Sequence, residues 1–487
     1  MNMLPGAFAG FARVLPPGGA PPTGGDIAMG IAAALGVRTG RGRGGDACEA
    51  FGRALRETFG MRHAFLHCTG RAALSAAFRA MRALAPTRDE VLLPAYTSYS
   101  VAAAAVHAGM RVALYDLEPD TLAPSHDSVA AAMGERTLCV VACHLFGYPV
   151  DIAALRILCQ QHGAWLLDDA AQAMGASIGG RHAGTCGDVG LFSLARGKNI
   201  TAVDGGVLIT GSDELARQLA QDAPYAVSHA ITDNASPDNA SPDNVPPDDA
   251  RGGVVARGAG ETFCRVDAVL AAKAVVLWVC QHPRAYWLPA SLPFLHIGAS
   301  RLEPRFASGG LRPLQAAMAL RALGRLDAVN AGRRAMAHRI VQRLRDVCGL
   351  RTVAAQPGAD PVFTRLPLLP GAEGWTGGGP PQMGALGMVR SYPQSLRDLA
   401  ALSPHRVAGQ DCPVARWVAA SLITLPTHAF VEQRDMDAMV GILVRATTKG
   451  PGGRLPVAQS AAFPGPPATS GPAGPAASTA IGGGGAR

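Results

Sequence analysis

Lysine is scarce in this chain. Of 44 basic residues only three are lysines, Lys198, Lys273 and Lys449, so each stands where arginine would not serve or stands by chance. Lys198 follows a short apolar run in Gly187-Asp188-Val189-Gly190-Leu191-Phe192-Ser193-Leu194-Ala195-Arg196-Gly197-Lys198-Asn199-Ile200, with Asp204-Gly205-Gly206 just beyond. A primary amine in such a place can bond a carbonyl carbon as an imine and then move protons, which a guanidinium cannot do. A second segment, Trp165-Leu166-Leu167-Asp168-Asp169-Ala170-Ala171-Gln172, ends a buried strand in two carboxylates. In a third, His67-Cys68-Thr69-Gly70-Arg71-Ala72-Ala73-Leu74, a strand turns into a helix. Thr69 can cap that helix, and the free N–H groups beyond Gly70 offer a phosphate site. Each segment alone also fits a plain role: an exposed loop lysine, a turn-forming acid, an ordinary cap. Together they supply an imine-forming lysine, an aspartate for a pyridinium proton and a helix N-terminus for a phosphate, the protein's share of a pyridoxal phosphate site.

Such groups converge only if the fold brings strand ends to one edge. A helical pattern covers Cys48 to Phe59, a short strand ends at His67, and a helix runs from Arg71 to Leu84 with Leu74, Ala77, Phe78 and Met81 on one face. Strands are expected at Val91–Leu93, Val112–Tyr115, Leu138–Cys143 and Trp165–Leu167, alternating with helices at Val101–Ala108, Ser125–Met133 and Ile152–His162. Short, wholly apolar strands alternating with helices indicate a parallel sheet covered on both faces, which binds ligands at its C-terminal edge. Val189–Ser193 and Gly206–Thr210 lie too close for a crossover helix, so the sheet is expected to be mixed. A long amphipathic helical pattern covers Leu311 to Val347.

Residues 1–45, rich in Gly, Ala and Pro, read as a loosely ordered lead-in, 46–310 as a large cofactor domain and 311–447 as a smaller C-terminal α/β domain. Within 228–252 the unit Asp-Asn-Ala-Ser-Pro occurs at 233–237 and 238–242, and such sequence cannot bury apolar area, so a disordered insertion is expected. Residues 448–487 read as a Gly/Pro/Ala/Ser tail.

Hydrophobic residues are 48% of the 487 and charged ones 16%, enough for a large core. No run of 18 apolar residues lacks a charge, since Ala268 to Cys280 contains Lys273, so a membrane span is not expected. The N-terminus has no secretory pattern. Ten scattered cysteines without a CxxC pair read as free thiols of a reducing cytoplasm, with no metal site. The formal charge of +8 is spread out and lacks interleaved aromatics, which argues against nucleic acid and fits small anionic ligands.

The run LLDDAAQAMGASIGGRHAGTCGDVGLFSLARGKNITAVDGGVLIT resembles the signature of the DegT/StrS-type aminotransferases, fold-type-I pyridoxal phosphate enzymes known for making amino sugars. The likeness extends through TGRAAL, LLPAYTSYSVAAAAVHAGMRVALYDLEPDTL and CHLFGYPVDIAAL, and more faintly through LQAAMALRALGRLDAVNAGRRA and ASLITLPTHAF. It implies an α/β fold with a large, mixed, mostly parallel sheet. By that resemblance Lys198 bonds the cofactor aldehyde, Asp169 pairs with the ring nitrogen, Gln172 lies beside the ring, and Ser193, Gly70 and Arg71 hold the phosphate. Asp168 takes the place of a family glutamate, and His144 matches a histidine near the site. The resemblance further implies glutamate or glutamine as amino donor, a nucleotide-linked keto sugar as acceptor, and a homodimer.

Three positions depart from the family pattern. Arg71 replaces a threonine or serine at the helix start. Ser98 stands where a ring-stacking aromatic belongs, leaving Tyr96 or Tyr99 to serve or the stack absent. Ser308-Gly309-Gly310-Leu311-Arg312-Pro313 replaces an Asn-x-Arg segment that reaches a neighbouring subunit, with Arg312 as a candidate substitute. Another reaction of the same cofactor, and an idle regulatory or scaffold protein, therefore stay open beside transamination.

Overall fold

The structure is a computed structural model; it describes residues 13–37, 47–222, 225–228, 254–256, 265–292, 302–345, 347, 349–370, 382–409 and 411–448. The repeat at 233–247 and the tail beyond 448 lie outside the described residues.

Nine strands form the main sheet, in the order Val254–Ala256, Tyr225–Ser228, His63–His67, Gly206–Thr210, Val189–Ser193, Trp165–Asp169, Thr137–Cys143, Glu90–Pro94, Arg111–Tyr115. The last five are joined by parallel pairings, whereas Gly206–Thr210 runs antiparallel to both its neighbours. The mixed, mostly parallel sheet expected from the sequence is therefore present. Its registers matter for chemistry: Cys143 pairs with Asp169, and Gly206 pairs with both Ser193 and His67. Five strand ends thus meet at one edge.

Alternation along each strand sends side chains to opposite faces. Phe65, Leu191 and Leu208 enter one core cluster with Leu74, Phe78 and Met81 of the helix Gly70–Leu84. Ala64, Leu66, Phe192, Val207 and Ile209 enter the other, against Phe51 and Leu55 of the helix Ala47–Phe59. Each such buried Leu or Phe contributes about 1.5–3 kcal/mol. A second sheet, of Leu350–Thr352, Leu366–Pro370 and Ile423–Leu425, lies in the C-terminal part beside the helices Pro413–Ser421 and Gln433–Thr448.

Two expectations need correction. The lead-in is not loosely ordered throughout, because it carries the helix Gly24–Ala34, opened by a reciprocal cap between Thr23 and Asp26. Buried Asp26 also accepts two bonds from Arg325, at 2.9 and 2.6 Å. The glycine-rich composition that suggested disorder is what lets this helix lie close to its neighbour: a Cβ on Gly30 would stand 2.9 Å from the Leu314 carbonyl oxygen. The long helical pattern from Leu311 is two helices, Pro313–Leu323 and Leu326–Leu344, broken at Gly324-Arg325. A single run of apolar periodicity cannot show a break that short.

The helix Arg265–Cys280 is apolar nearly all round and turns Val266, Val269, Val276, Trp278 and Val279 outward, each about half exposed. Among the described residues no helix is long and apolar enough to cross a membrane.

Candidate active site

The lysine sits in a closed loop. Val189–Ser193 and Gly206–Thr210 form an antiparallel pair, and the chain between them is pinned where Leu194 N donates to Gly205 O at 2.9 Å and Ala202 N donates to Leu194 O at 2.9 Å. Gly197, at φ +83°, turns the chain just before Lys198, and just after it Asn199 donates to Asn330 Oδ1 of the helix Leu326–Leu344 at 2.9 Å. Burial lowers the Lys198 ammonium from its ordinary range, and the Asp169 charge offsets part of that shift. A larger share of free amine at neutral pH follows, which an imine-forming nucleophile needs.

The two strand-end acids have separate environments because neighbours on a strand face opposite sides. Asp168 is wholly buried; it accepts from His144 Nε2 at 2.5 Å and from the Cys186 N–H at 2.9 Å. His144 Nδ1 accepts from the Val150 N–H at 3.0 Å, so the imidazole proton belongs on Nε2, aimed at Asp168. That pair uses both ring nitrogens and both carboxylate oxygens. Asp169 instead lines the cavity: its Oδ1 accepts from Ala171 N at 3.0 Å, and the Cys143 thiol approaches Oδ2 at 3.5 Å. Burial raises the Asp169 carboxyl, while the Ala171 N–H and Lys198 pull it back down.

The phosphate candidates meet at the start of the helix Gly70–Leu84. Thr69 Oγ1 accepts from Ala72 N at 3.0 Å, leaving the N–H groups before it directed at the cavity. A Cβ on Gly70 would lie 3.4 Å from Ser193 Oγ, so the helix start and the strand-end hydroxyl share one recess. Arg71 stands at its mouth, its guanidinium 5.1 Å from the Phe306 ring centroid and 3.4 Å from the Glu303 carbonyl oxygen. Gly70, Arg71, Asp169, Gln172, Ser193 and Lys198 all line one cavity of about 400 Å³, and His144 joins them, whereas Asp168 does not line it.

Sequence reasoning missed Tyr392. The Gln172 amide donates to its hydroxyl at 3.2 Å, the hydroxyl also meets Ser98, and burial pushes the phenol up to about 12. Its ring lies 5.7 Å from Tyr96 and 6.4 Å from both Tyr99 and Phe146. Tyr96 and Tyr99 donate to the Ser391 and Gln394 carbonyls, each at 2.8 Å, and so hold the turn that carries Tyr392. Of those two only Tyr99 lines the cavity with Ser98. The one hint in the sequence was the small residue at 98, which leaves room for a phenol from elsewhere. Arg312 does not reach outward: it makes a two-pronged pair with buried Asp267, at 3.0 and 2.7 Å.

The donor set suits pyridoxal phosphate: helix N–H groups with Ser193 and Arg71 for the phosphate, Asp169 for the ring nitrogen, and Lys198 for the aldehyde. The comparisons agree. Residues 32–232 match the DegT/DnrJ/EryC1/StrS aminotransferase family. The chain is 35% identical over 173 residues to a UDP-N-acetyl-3-dehydro-alpha-D-glucosamine 3-aminotransferase of Acidithiobacillus ferrooxidans, covering 34% of this chain and 46% of that protein. It is 34% identical over 166 residues to a GDP-perosamine synthase of Vibrio cholerae, covering 34% of this chain and 44% of that protein. These matches span less than half of either relative. Among solved structures, an aminotransferase of the same family from Brucella abortus superposes with a TM-score of 0.61 at 19% identity, covering 87% of this chain and 96% of that one. DesI, solved in the presence of its TDP-sugar product, gives 0.64 at 21% identity, covering 91% and 94%. At those identities the likeness establishes the fold, and the resemblance read from the sequence stands.

Proposed function

We propose that this chain, whose residues 32–232 carry DegT/DnrJ/EryC1/StrS aminotransferase sequence, is a pyridoxal-phosphate-dependent aminotransferase that moves an amino group from glutamate or glutamine to a nucleotide-linked keto sugar. The observation that carries this is one cavity lined by both Lys198 and Asp169 and by Gly70, Arg71 and Ser193, the candidates for a phosphate. The cofactor, when bound, supplies an aldehyde for amino groups and a sink for electrons. Asp169 would hold a proton on the ring nitrogen and so keep that sink strong. Lys198 Nζ is the amine that would hold the aldehyde end of the cofactor, and as a free amine it would move a proton at the substrate carbon, as a base and then an acid. Gln172, fixed by Tyr392 and by the Phe146 N–H at 3.1 Å, would keep the ring in place. His144 locks Asp168 and so steadies the strand end that presents Asp169.

The relatives named for UDP- and GDP-linked sugars support the acceptor class. The solvated mouth with Arg71 suits an anionic substrate. The outward apolar face of Arg265–Cys280 supports a homodimer, since exposed patches of this kind mark interfaces. The eight free cysteines among the described residues fit work in the cytoplasm. The test is to supply the protein with pyridoxal phosphate, glutamate or glutamine, and a panel of nucleotide-linked keto sugars, and to follow amine transfer by mass. Expected is an aminated sugar from at least one acceptor. Cofactor binding without transfer to any of them would turn the reading to another reaction, and no cofactor binding would turn it to an idle protein.

A further inference from the structure

Residues 13 to 22 precede the family-matched segment and form neither helix nor strand, yet Val14, Leu15 and Pro16 are buried. Their backbone is held at nearly every step. Val14 N donates to Pro283 O at 2.9 Å and Leu15 N to Ala385 O at 2.8 Å. The Pro16 carbonyl accepts from His428 Nε2 at 2.9 Å, the Pro17 carbonyl from Arg365 Nη1, and the Gly19 carbonyl from Arg333 Nη2 at 2.7 Å. Arg333 is 2% exposed, and its other bonds go to the Thr364 carbonyl and the Thr427 hydroxyl. Arg365 likewise donates to the Thr424 side chain and to the Gly387 and Thr424 carbonyls. Two guanidiniums, that of Arg333 buried and that of Arg365 half-buried, thus have no carboxylate among the described partners, and carbonyl and hydroxyl oxygens offset their desolvation cost.

What they hold lies against the lysine loop. A Cβ on Gly18 would stand 3.4 Å from Gly197 Cα and 3.6 Å from the Gly197 carbonyl oxygen, so the two backbones are in contact one residue before Lys198. On the other side Asn330 holds Asn199, one residue after Lys198. Asn330 and Arg333 are three apart on the helix Leu326–Leu344, hence on one face, so one helix grips both the lysine loop and the segment that covers it.

We propose that Pro16–Gly19 is a strap that positions Lys198, clamped by Arg333, Arg365 and His428 and pressing on Gly197 through Gly18. The strap makes the reach of the Lys198 amine depend on a segment far away in sequence. It rests on the reading of Lys198 as the cofactor-bonding amine.

Gly18→Val tests it, because the branched side chain must push on the Gly197 backbone, whereas Gly18→Ala places one methyl at ordinary contact distance. Pyridoxal phosphate is added to the cofactor-free, full-length protein, and the growth of visible absorbance is followed, together with its pH titration. Expected for Gly18→Val is a rate lower by about tenfold or more, as a displacement of about an ångström costs a reacting group, with a moved titration midpoint and Gly18→Ala close to wild type. Arg365→Lys, which keeps the charge but loses the fork that holds Pro17, should shift the midpoint in the same way, and it decides the matter if Gly18→Val does not fold. Wild-type rate and midpoint in both variants would overturn the strap alone. A wild-type protein that develops no visible band with pyridoxal phosphate would instead overturn the cofactor reading beneath it.

Discussion

Acid should loosen the strap through one buried histidine. His428 lies under Pro16, its Nε2 donating to the Pro16 carbonyl, while its Nδ1 is buried without a hydrogen-bond partner among the described residues. Burial depresses its pKa from 6.5 to about 3; the Pro16 bond acts against that shift, and Arg333, Arg365 and Arg13 add to it by repulsion. The unfolded chain therefore takes up this proton first, and the stability the neutral imidazole contributes is whole above about pH 6.5 and is lost as pH falls toward 3. Each pH unit well inside that window costs about 1.4 kcal/mol, so the fall from pH 7 to pH 5 should cost about 2 kcal/mol from this residue alone. His428→Gln keeps a donor that can meet Pro16 and removes the titration. Urea unfolding of both proteins at pH 7, 6 and 5 gives the comparison, with limited proteolysis between 13 and 23 as the local probe. Expected is a pH slope flatter by about 2 kcal/mol over that range in His428→Gln, with earlier acid cleavage of the strap in the wild type. Equal slopes in the two proteins would refute the assignment of the proton to His428.

Three further outcomes are expected. Lys198→Ala should keep the thermal midpoint of the cofactor-free protein while losing the borohydride-fixed pyridoxyl label, which peptide mapping of the wild type should place on Lys198. Asp169→Asn should bind cofactor but lose transamination, whereas Asp168→Asn should lose stability first. In the latter an amide N–H would face either His144 Nε2–H or the Cys186 N–H, a cost of about 1–3 kcal/mol in urea unfolding. Tyr392→Phe should leave Gln172 Nε2 short of one acceptor, and a loss of about 1 kcal/mol should appear as several-fold faster cofactor release in spectrophotometric dilution.

Much of the sheet was legible because buried parallel strands are short, wholly apolar and set off by helices. Val189–Ser193 and Gly206–Thr210 agree with the sequence reading to the residue, and their spacing alone called for an antiparallel pair. The cavity was legible for a related reason: Gly70, Asp169, Ser193 and Lys198 each lie at or just past a strand end, so placing the strands placed them. Tyr392 and the strap were not legible, since they arrive from residues remote in sequence. Pro16-Pro17-Gly18-Gly19 looks like a linker by composition, and only the carbonyl-seeking groups Arg333, Arg365 and His428, brought from three other segments, give it a position. The fate of Arg312 was hidden likewise, because its partner Asp267 lies 45 residues away in sequence, on the helix Arg265–Cys280.

The closed loop that carries Lys198 has an evolutionary corollary. A lysine placed at the head of a crossover helix would share that helix's packing, and its replacement would disturb the core. Here the loop begins and ends on the same rung of a hairpin, and its packing rests on buried Asn199, Ile200 and Ala202, while Lys198 lines the cavity. The fold thus leans on the neighbours of position 198 more than on the residue there, whose amine serves the chemistry. A descendant that exchanged the amine for another side chain would give up the reaction and keep the scaffold, one codon change away from a protein free to acquire a different use for the same cavity.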